Sequence, residues 1–159
     1  MVKQADKIVQ DNKQDIKTSN KDYVFAIGRR KGARALVRLY KNDVTLGGAT
    51  IHKGEIVVNN KKALEYFGKD RELIYKEPLY ATNTGSKFAV SIKASGGGKV
   101  GQLDSAILGI ARALDKFDRE KFHTILKRKG MLTRDPRVRE RRKVGMGGKS
   151  RRRKQSPKR

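Results

Sequence analysis

With 159 residues, 36% of them apolar against about 45–50% in an ordinary soluble domain, the chain has material for one core of roughly a hundred residues and tails around it. Its 40 Lys and Arg against 16 Asp and Glu give a formal charge of +24, which calls for a polyanionic partner. The absence of cysteine excludes disulfides and thiolate metal sites, and no apolar run approaches the roughly eighteen residues of a membrane span.

Met1 to Asp22 holds five Lys and four Asp among Gln and Asn, with Val2, Ile8, Val9 and Ile16 as its sizeable apolar residues. Residues 1–22 therefore read as a disordered extension. The segment has neither a signal-peptide hydrophobic region nor the Arg-rich, acid-poor character of a transit peptide.

Order is expected from Tyr23. Tyr23 to Gly28 is apolar and β-prone, Arg29 to Gly32 is a basic break, and Ala33 to Tyr40 alternates, which predicts two antiparallel strands joined by a cationic turn. Lys41 to Gly54, with Val44 to Leu46 and the pair Gly47–Gly48, reads as an elaborated hairpin, followed by a strand over Glu55 to Val58 ending at Asn59–Asn60. Lys61 to Phe67 predicts a short helix with Leu64 and Phe67 inward, stopped by Gly68. Arg71 onwards predicts a helical turn that ends before Pro78.

Lys87 to Ala94 alternates Phe88, Val90 and Ile92 against Ala89, Ser91 and Lys93, the pattern of a half-buried strand. From Gln102, the positions Leu103, Ala106, Ile107, Ile110, Ala111 and Leu114 form the stripe of an amphipathic helix laid on a sheet. Gly109 costs that helix about 1 kcal/mol relative to Ala, so a neighbouring backbone is expected close by. Arg119 to Arg128 predicts a second helix with Phe122, Ile125 and Leu126 inward, ending at Gly130. The fold class is α+β: a mainly antiparallel sheet with helices on one face, occupying 23–130.

Residues 131–159 are expected to form an extended basic tail. From Lys127 to Arg159 there are sixteen Lys or Arg and two acids, Asp135 and Glu140, a net charge of +14. A segment with this density of like charge and no large apolar residue after Val144 except Met146 has no core of its own and is ordered by a polyanion. Each phosphate that such a chain neutralises releases condensed counterions, so nucleic acid is the natural partner. Asp135–Pro136 reads as an N-cap and first-turn proline opening a short basic helix, Pro136 to Lys143.

Candidate RNA-contacting residues are Arg29, Arg30 and Lys31 in the turn, and Gly97, Gly98 and Lys99 in the glycine-rich loop. In the tail they are Arg134, Arg137, Arg139, Arg141, Arg142, Lys143, Lys149, Arg151, Arg152, Arg153 and Lys154. Such contacts position a protein on RNA without reading sequence. Gly96 to Gly101 lacks the spacing of a nucleotide-binding P-loop; its glycines either bring backbone amides and a helix N-terminus to a phosphate or simply form a flexible turn. His52 and His123 have no second ligand at metal-binding spacing, so no cofactor or metal is expected.

Gly28-Arg-Arg-Lys31, Glu55-Ile-Val-Val-Asn59, Tyr66-Phe-Gly68, Gly96-Gly-Gly-Lys-Val-Gly-Gln102, Gly109-Ile-Ala-Arg-Ala-Leu114, Leu132-Thr-Arg-Asp-Pro-Arg137 and Lys158-Arg159 occur in one collinear order. This set resembles the family of the universal ninth protein of the small ribosomal subunit, in its bacterial form, from about Tyr23 to Arg159. The resemblance implies the fold of domain two of small-subunit ribosomal protein five, with a left-handed β-α-β crossover. It implies binding to the 3′ major domain of small-subunit rRNA in the subunit head, among neighbouring head proteins, in the cytoplasm and without catalysis. It also implies a tail that threads to the peptidyl site, where Lys158 and Arg159 meet tRNA. The chain departs from the family pattern in its longer N-terminal extension, in Gly32 where Thr is common, in the long Lys41 to Gly54 connection, and in Pro157 with no aromatic before the final Lys-Arg. An RNA-processing factor such as the protein partner of ribonuclease P is the competing reading.

Overall fold

The structure is a computed structural model and describes residues 23–141. Tyr23–Arg30 (β1) and Ala33–Tyr40 (β2) pair antiparallel, with Arg29 opposite Arg34 and Arg30 opposite Ala33. The predicted four-residue break is thus a two-residue turn, Lys31 and Gly32. Arg29 and Arg30 stay in the strand because its pleat sends neighbouring side chains to opposite faces, which separates their charges.

Val44–Leu46 (β3) and Ala49–Ile51 (β4) form a separate hairpin through Gly47 and Gly48, as the long connection led one to expect. Ile56–Val58 (β5) is followed by Lys61–Lys62 (β6), which pairs back on it, and only then by the short helix Ala63–Phe67 (α1). Because the helix starts two residues later than predicted, its inward pair is Ala63 and Phe67, four apart, and Leu64 is 38% exposed rather than buried. Gly68, at φ 95°, stops it where expected.

A 3₁₀ turn, Lys69–Arg71, leads into the helix Glu72–Ala81 (α2), which runs through Pro78 instead of ending before it. Proline removes the bond to the Ile74 carbonyl. Tyr75, Pro78 and Leu79, however, make one buried face, and Ile74 lies on the exposed side, so packing outweighs the missing bond. The buried Thr82 hydroxyl closes this end by donating to the Pro78 carbonyl at 3.0 Å.

Ala89–Ser95 (β7) precedes the long helix Lys99–Phe117 (α3) and the helix Arg119–Arg128 (α4). Asp118 caps α4 by accepting from the Lys121 amide at 3.2 Å. The Lys121 ammonium and amide together hold this carboxyl below its ordinary pKa. At the other end Gly130 takes φ 71°, Met131 N–H bonds Leu126 O and Gly130 N–H bonds Lys127 O, the paired bonds of a Schellman ending. Leu126 is fully buried, whereas Ile125, predicted inward, is 41% exposed: Phe122 and Leu126, four apart, set the inward line and Ile125 falls on its flank.

The sheet order is β1-β2-β7-β5-β6. Among the described strands only β5 and β7 run parallel, joined by β6, α1 and α2 as a β-α-β unit. Buried residues of the helices share one core with Ala26, Ala35, Val37, Leu39, Val58, Val90 and Ile92, so the helices occupy one face. At the Tyr40 and Ala89 end of the other face sits the β3–β4 hairpin, held by Ile51.

α3 crosses β1 at backbone distance. A Cβ on Gly28 would lie 1.8 Å from the Ser105 carbonyl oxygen, and one on Gly109 would lie 2.5 Å from Val37 Cγ2. The close approach expected from Gly109 is therefore real, and it takes a glycine on each side. Arg112 and Lys116 of α3 also donate to the Ile27 and Phe25 carbonyls, each at 3.2 Å, covering the free edge of β1.

Candidate nucleic-acid interface

The β1–β2 turn, the glycine-rich loop and the root of the tail meet at one end of the fold. Gly96 and Gly97, at φ 69° and 60°, pass so close to the turn that added Cβ atoms would lie 2.5 Å from Gly32 O and 3.0 Å from Ala33 N. These two glycines are explained by contact within the chain. Gly98 is exposed and opens α3 with no side-chain cap, so the first amides of the helix face outward beside the exposed Lys99. Lys31, also exposed, holds a left-handed φ of 52° at the tip of the turn.

Arg29 and Arg30 have different surroundings. Arg29 is exposed on the face of the sheet away from the helices. Arg30 turns to the helix side, where its side chain is only 14% exposed; Nη1 lies 2.7 Å from Asp135 Oδ1 and Nε 3.4 Å from Asp104 Oδ2. The same Nη1 donates to the Arg137 carbonyl at 3.3 Å. Asp135 in turn accepts from the Arg137 amide at 2.9 Å and from its guanidinium at 2.6 Å. The Arg137 guanidinium and amide, with Arg30 beyond them, hold the Asp135 carboxyl far below the usual carboxylate range. Arg30 thus fastens the chain just after Met131 and Leu132, which pack on the core, and sets the point from which the basic segment departs. A cleft of about 300 Å³ lies between these parts, lined by Arg29, Arg30, Asp104, Met131 and Asp135.

Arg134, Arg137, Arg139 and Arg141 are exposed. The expected helix from Pro136 is not formed over its described part, to Arg141. Asp135 makes the N-cap-like bond to the amide two residues on, but Arg137, Arg139 and Arg141 repel one another and supply no apolar face for a helix to bury. Arg142, Lys143, Lys149, Arg151, Arg152, Arg153, Lys154, Lys158 and Arg159 lie outside the described residues, as does the 1–22 extension.

Both histidines stand beside single carboxylates: His52 Nδ1 is 3.1 Å from Asp43 and His123 Nδ1 is 2.7 Å from Asp115. The His52 ring and the Lys53 amide hold Asp43 below its ordinary pKa.

Three cations escaped the sequence reading: Arg34 and Arg38 on β2 and Lys93 on β7, all on the face of the sheet away from the helices. The alternation of Ala33 to Tyr40 already placed Arg34 and Arg38 on one side of a strand. What was hidden is the register that sets Leu36 beside Lys93 and Arg34 beside Arg29.

A small α+β core surrounded by this excess of cations defines a basic ribonucleoprotein component. Residues 28–159 match the family described as ribosomal protein S9/S16, and the chain belongs to that family. It is similar to "Small ribosomal subunit protein uS9" of Maridesulfovibrio salexigens, with 42% identity over 130 residues, 81% of this chain and 92% of the relative.

Proposed function

We propose that the chain is a structural, non-catalytic constituent of the small ribosomal subunit in the cytoplasm, holding rRNA of the subunit head, in its 3′ major domain, among neighbouring head proteins. The observation that carries this reading is the meeting, in a member of a ribosomal family, of the Lys31 turn, the Gly98–Lys99 helix start and the exposed Arg134 to Arg141 segment at one cationic end. Phosphate contacts fall to Arg29, Lys31, Lys99 and the tail cations, while the amides after Gly97 and Gly98 face a phosphate at the start of α3. Arg30 acts through the chain, by aiming the tail. Co-sedimentation with small subunits in high salt tests the assignment and separates it from an RNA-processing role; a chain that washes off as a free protein refutes it.

In the same reading the segment after Gly145 reaches the peptidyl site, and Lys158 and Arg159 contact backbone phosphates of tRNA there. Fifteen residues, Gly145 to Arg159, span about 50 Å when extended, enough to carry a contact far from the folded part. Removing Ser156 to Arg159 is expected to leave subunit yield intact and to weaken tRNA binding roughly tenfold, equivalent to about 1.4 kcal/mol. Filter binding of tRNA to subunits carrying the shortened chain measures this. Unchanged affinity at normal yield refutes the tRNA contact, and a collapse in yield assigns these residues to assembly.

A further inference from the structure

We infer that the open face of the sheet, beyond the β3–β4 hairpin, is a second RNA surface that takes a stretch of sugar-phosphate backbone across β2 and β7. This rests on the RNA-binding reading above and adds to it a face apart from the Lys31–Gly32 turn, the glycine-rich loop and the described root of the tail.

β1, β2 and β7 contain Arg29, Arg30, Arg34, Arg38 and Lys93 and not one Asp or Glu. The pleat sends Arg30 alone to the helix side, where it meets two carboxylates; the other four cations go to the opposite face. Among the described residues none of those four forms an ion pair with a carboxylate. Register then gathers them: Arg29 stands opposite Arg34, Arg34 opposite Ser95, Leu36 opposite Lys93 and Arg38 opposite Ser91. Arg29, Arg34, Lys93 and Ser95 are exposed.

The hairpin covers only one end of this face and turns its edge into a wall. Between the hairpin tip at Leu46–Gly47 and the sheet lies an open groove of about 520 Å³, floored by Arg38, Ser91 and Lys93 and flanked by Asn60. Unscreened cations a strand apart repel one another, and a polyanion laid over them relieves that repulsion while releasing its own counterions. Guanidinium forks, an ammonium and hydroxyls are the donors that phosphate and ribose oxygens accept. The contact is to backbone and is therefore tolerant of sequence.

The test uses the full chain and a small-subunit rRNA transcript, with affinity measured by filter binding over a range of KCl concentrations. Arg34→Gln with Lys93→Gln is compared with Lys69→Gln with Lys87→Gln, which removes two exposed cations elsewhere. The sheet pair is expected to make the slope of log K against log salt shallower by about 1.5, from roughly 0.7–0.9 per lost contact, and the control pair to leave it unchanged. All four positions are exposed, and thermal melts verify that each variant folds. If the original chain shows a steep slope that the sheet pair does not alter, the sheet surface is refuted and the tail-based reading stands. If the original chain itself shows a slope near zero, the RNA reading fails and this surface with it.

Discussion

Gly28 and Gly109 show how a single absent atom sets the distance between layers. A methyl on Gly28 would enter the Ser105 carbonyl and the Gly109 amide, both rigid backbone, so β1 and α3 would have to part. Gly28→Ala is expected to cost about 3 kcal/mol, read as a fall in the urea midpoint. On Gly109 the methyl meets the tip of Val37, and the helix gains about 1 kcal/mol in propensity, so Gly109→Ala costs less. Adding Val37→Ala to Gly109→Ala is expected to give a smaller loss than the sum of the two single changes; strict additivity would show that the clash is not the cause.

At the same scale, Asp135 joins Arg30 to Arg137. Its pKa is depressed when folded, so the clamp is fully present above the ordinary carboxylate value and is lost only as pH falls through the lower folded value. The Arg137 amide resonance is therefore expected to titrate far into the acid range; a midpoint near the ordinary 3.8 would mean the clamp is not formed. In Asp135→Asn that titration disappears, while the fold, whose core lies elsewhere, persists.

Among the described elements, the β3–β4 hairpin has the slightest attachment. It packs on Tyr40 and Ala89 chiefly through Ile51, 2% exposed, with Val44 and Leu46 alongside. Ile51→Ala removes most of that anchor and is expected to cost about 2–4 kcal/mol. Hydrogen exchange locates the effect: amides of β3 and β4 lose protection first, while those of β1, β2 and α3 change little. Equal loss across the sheet would show that the hairpin belongs to the main cooperative unit. The Asp43 carboxylate ties the hairpin's ends, accepting from the Lys53 amide at 2.8 Å and lying 3.1 Å from His52.

For the whole molecule, charge governs behaviour. A net +24 spread over the turn, the sheet face and the tail predicts RNA affinity that falls steeply with salt. If the tail alone meets about six phosphates, the slope of log K against log salt is about −4 to −5; a slope near −1 would refute the electrostatic account. Removing residues 1–22 is expected to leave cooperative unfolding intact, because β1 begins at Tyr23 and the described core lies beyond that point. Loss of the cooperative transition would show that the segment contributes to the core.

Local periodicity alone determined most elements. An apolar, β-prone run located β1, alternation located β2 and β7, the three-and-four spacing located α3, and Gly130 marked the end of α4, because each of these patterns is a property of neighbours in the chain. The basic tail and the ordered family motifs likewise needed no coordinates to indicate a ribosomal protein. Tertiary structure decided what depends on partners distant in sequence. Burial of Tyr75, Pro78 and Leu79 carried α2 through a proline that local rules treat as a stop, and pairing of Lys61 and Lys62 with β5 delayed α1 and turned Leu64 outward. Arg29 and Arg30, adjacent and alike in sequence, were parted by the pleat, one to an open cationic face and the other to Asp104 and Asp135. That outcome depends on which face the helices cover, and residues a hundred positions away decide it.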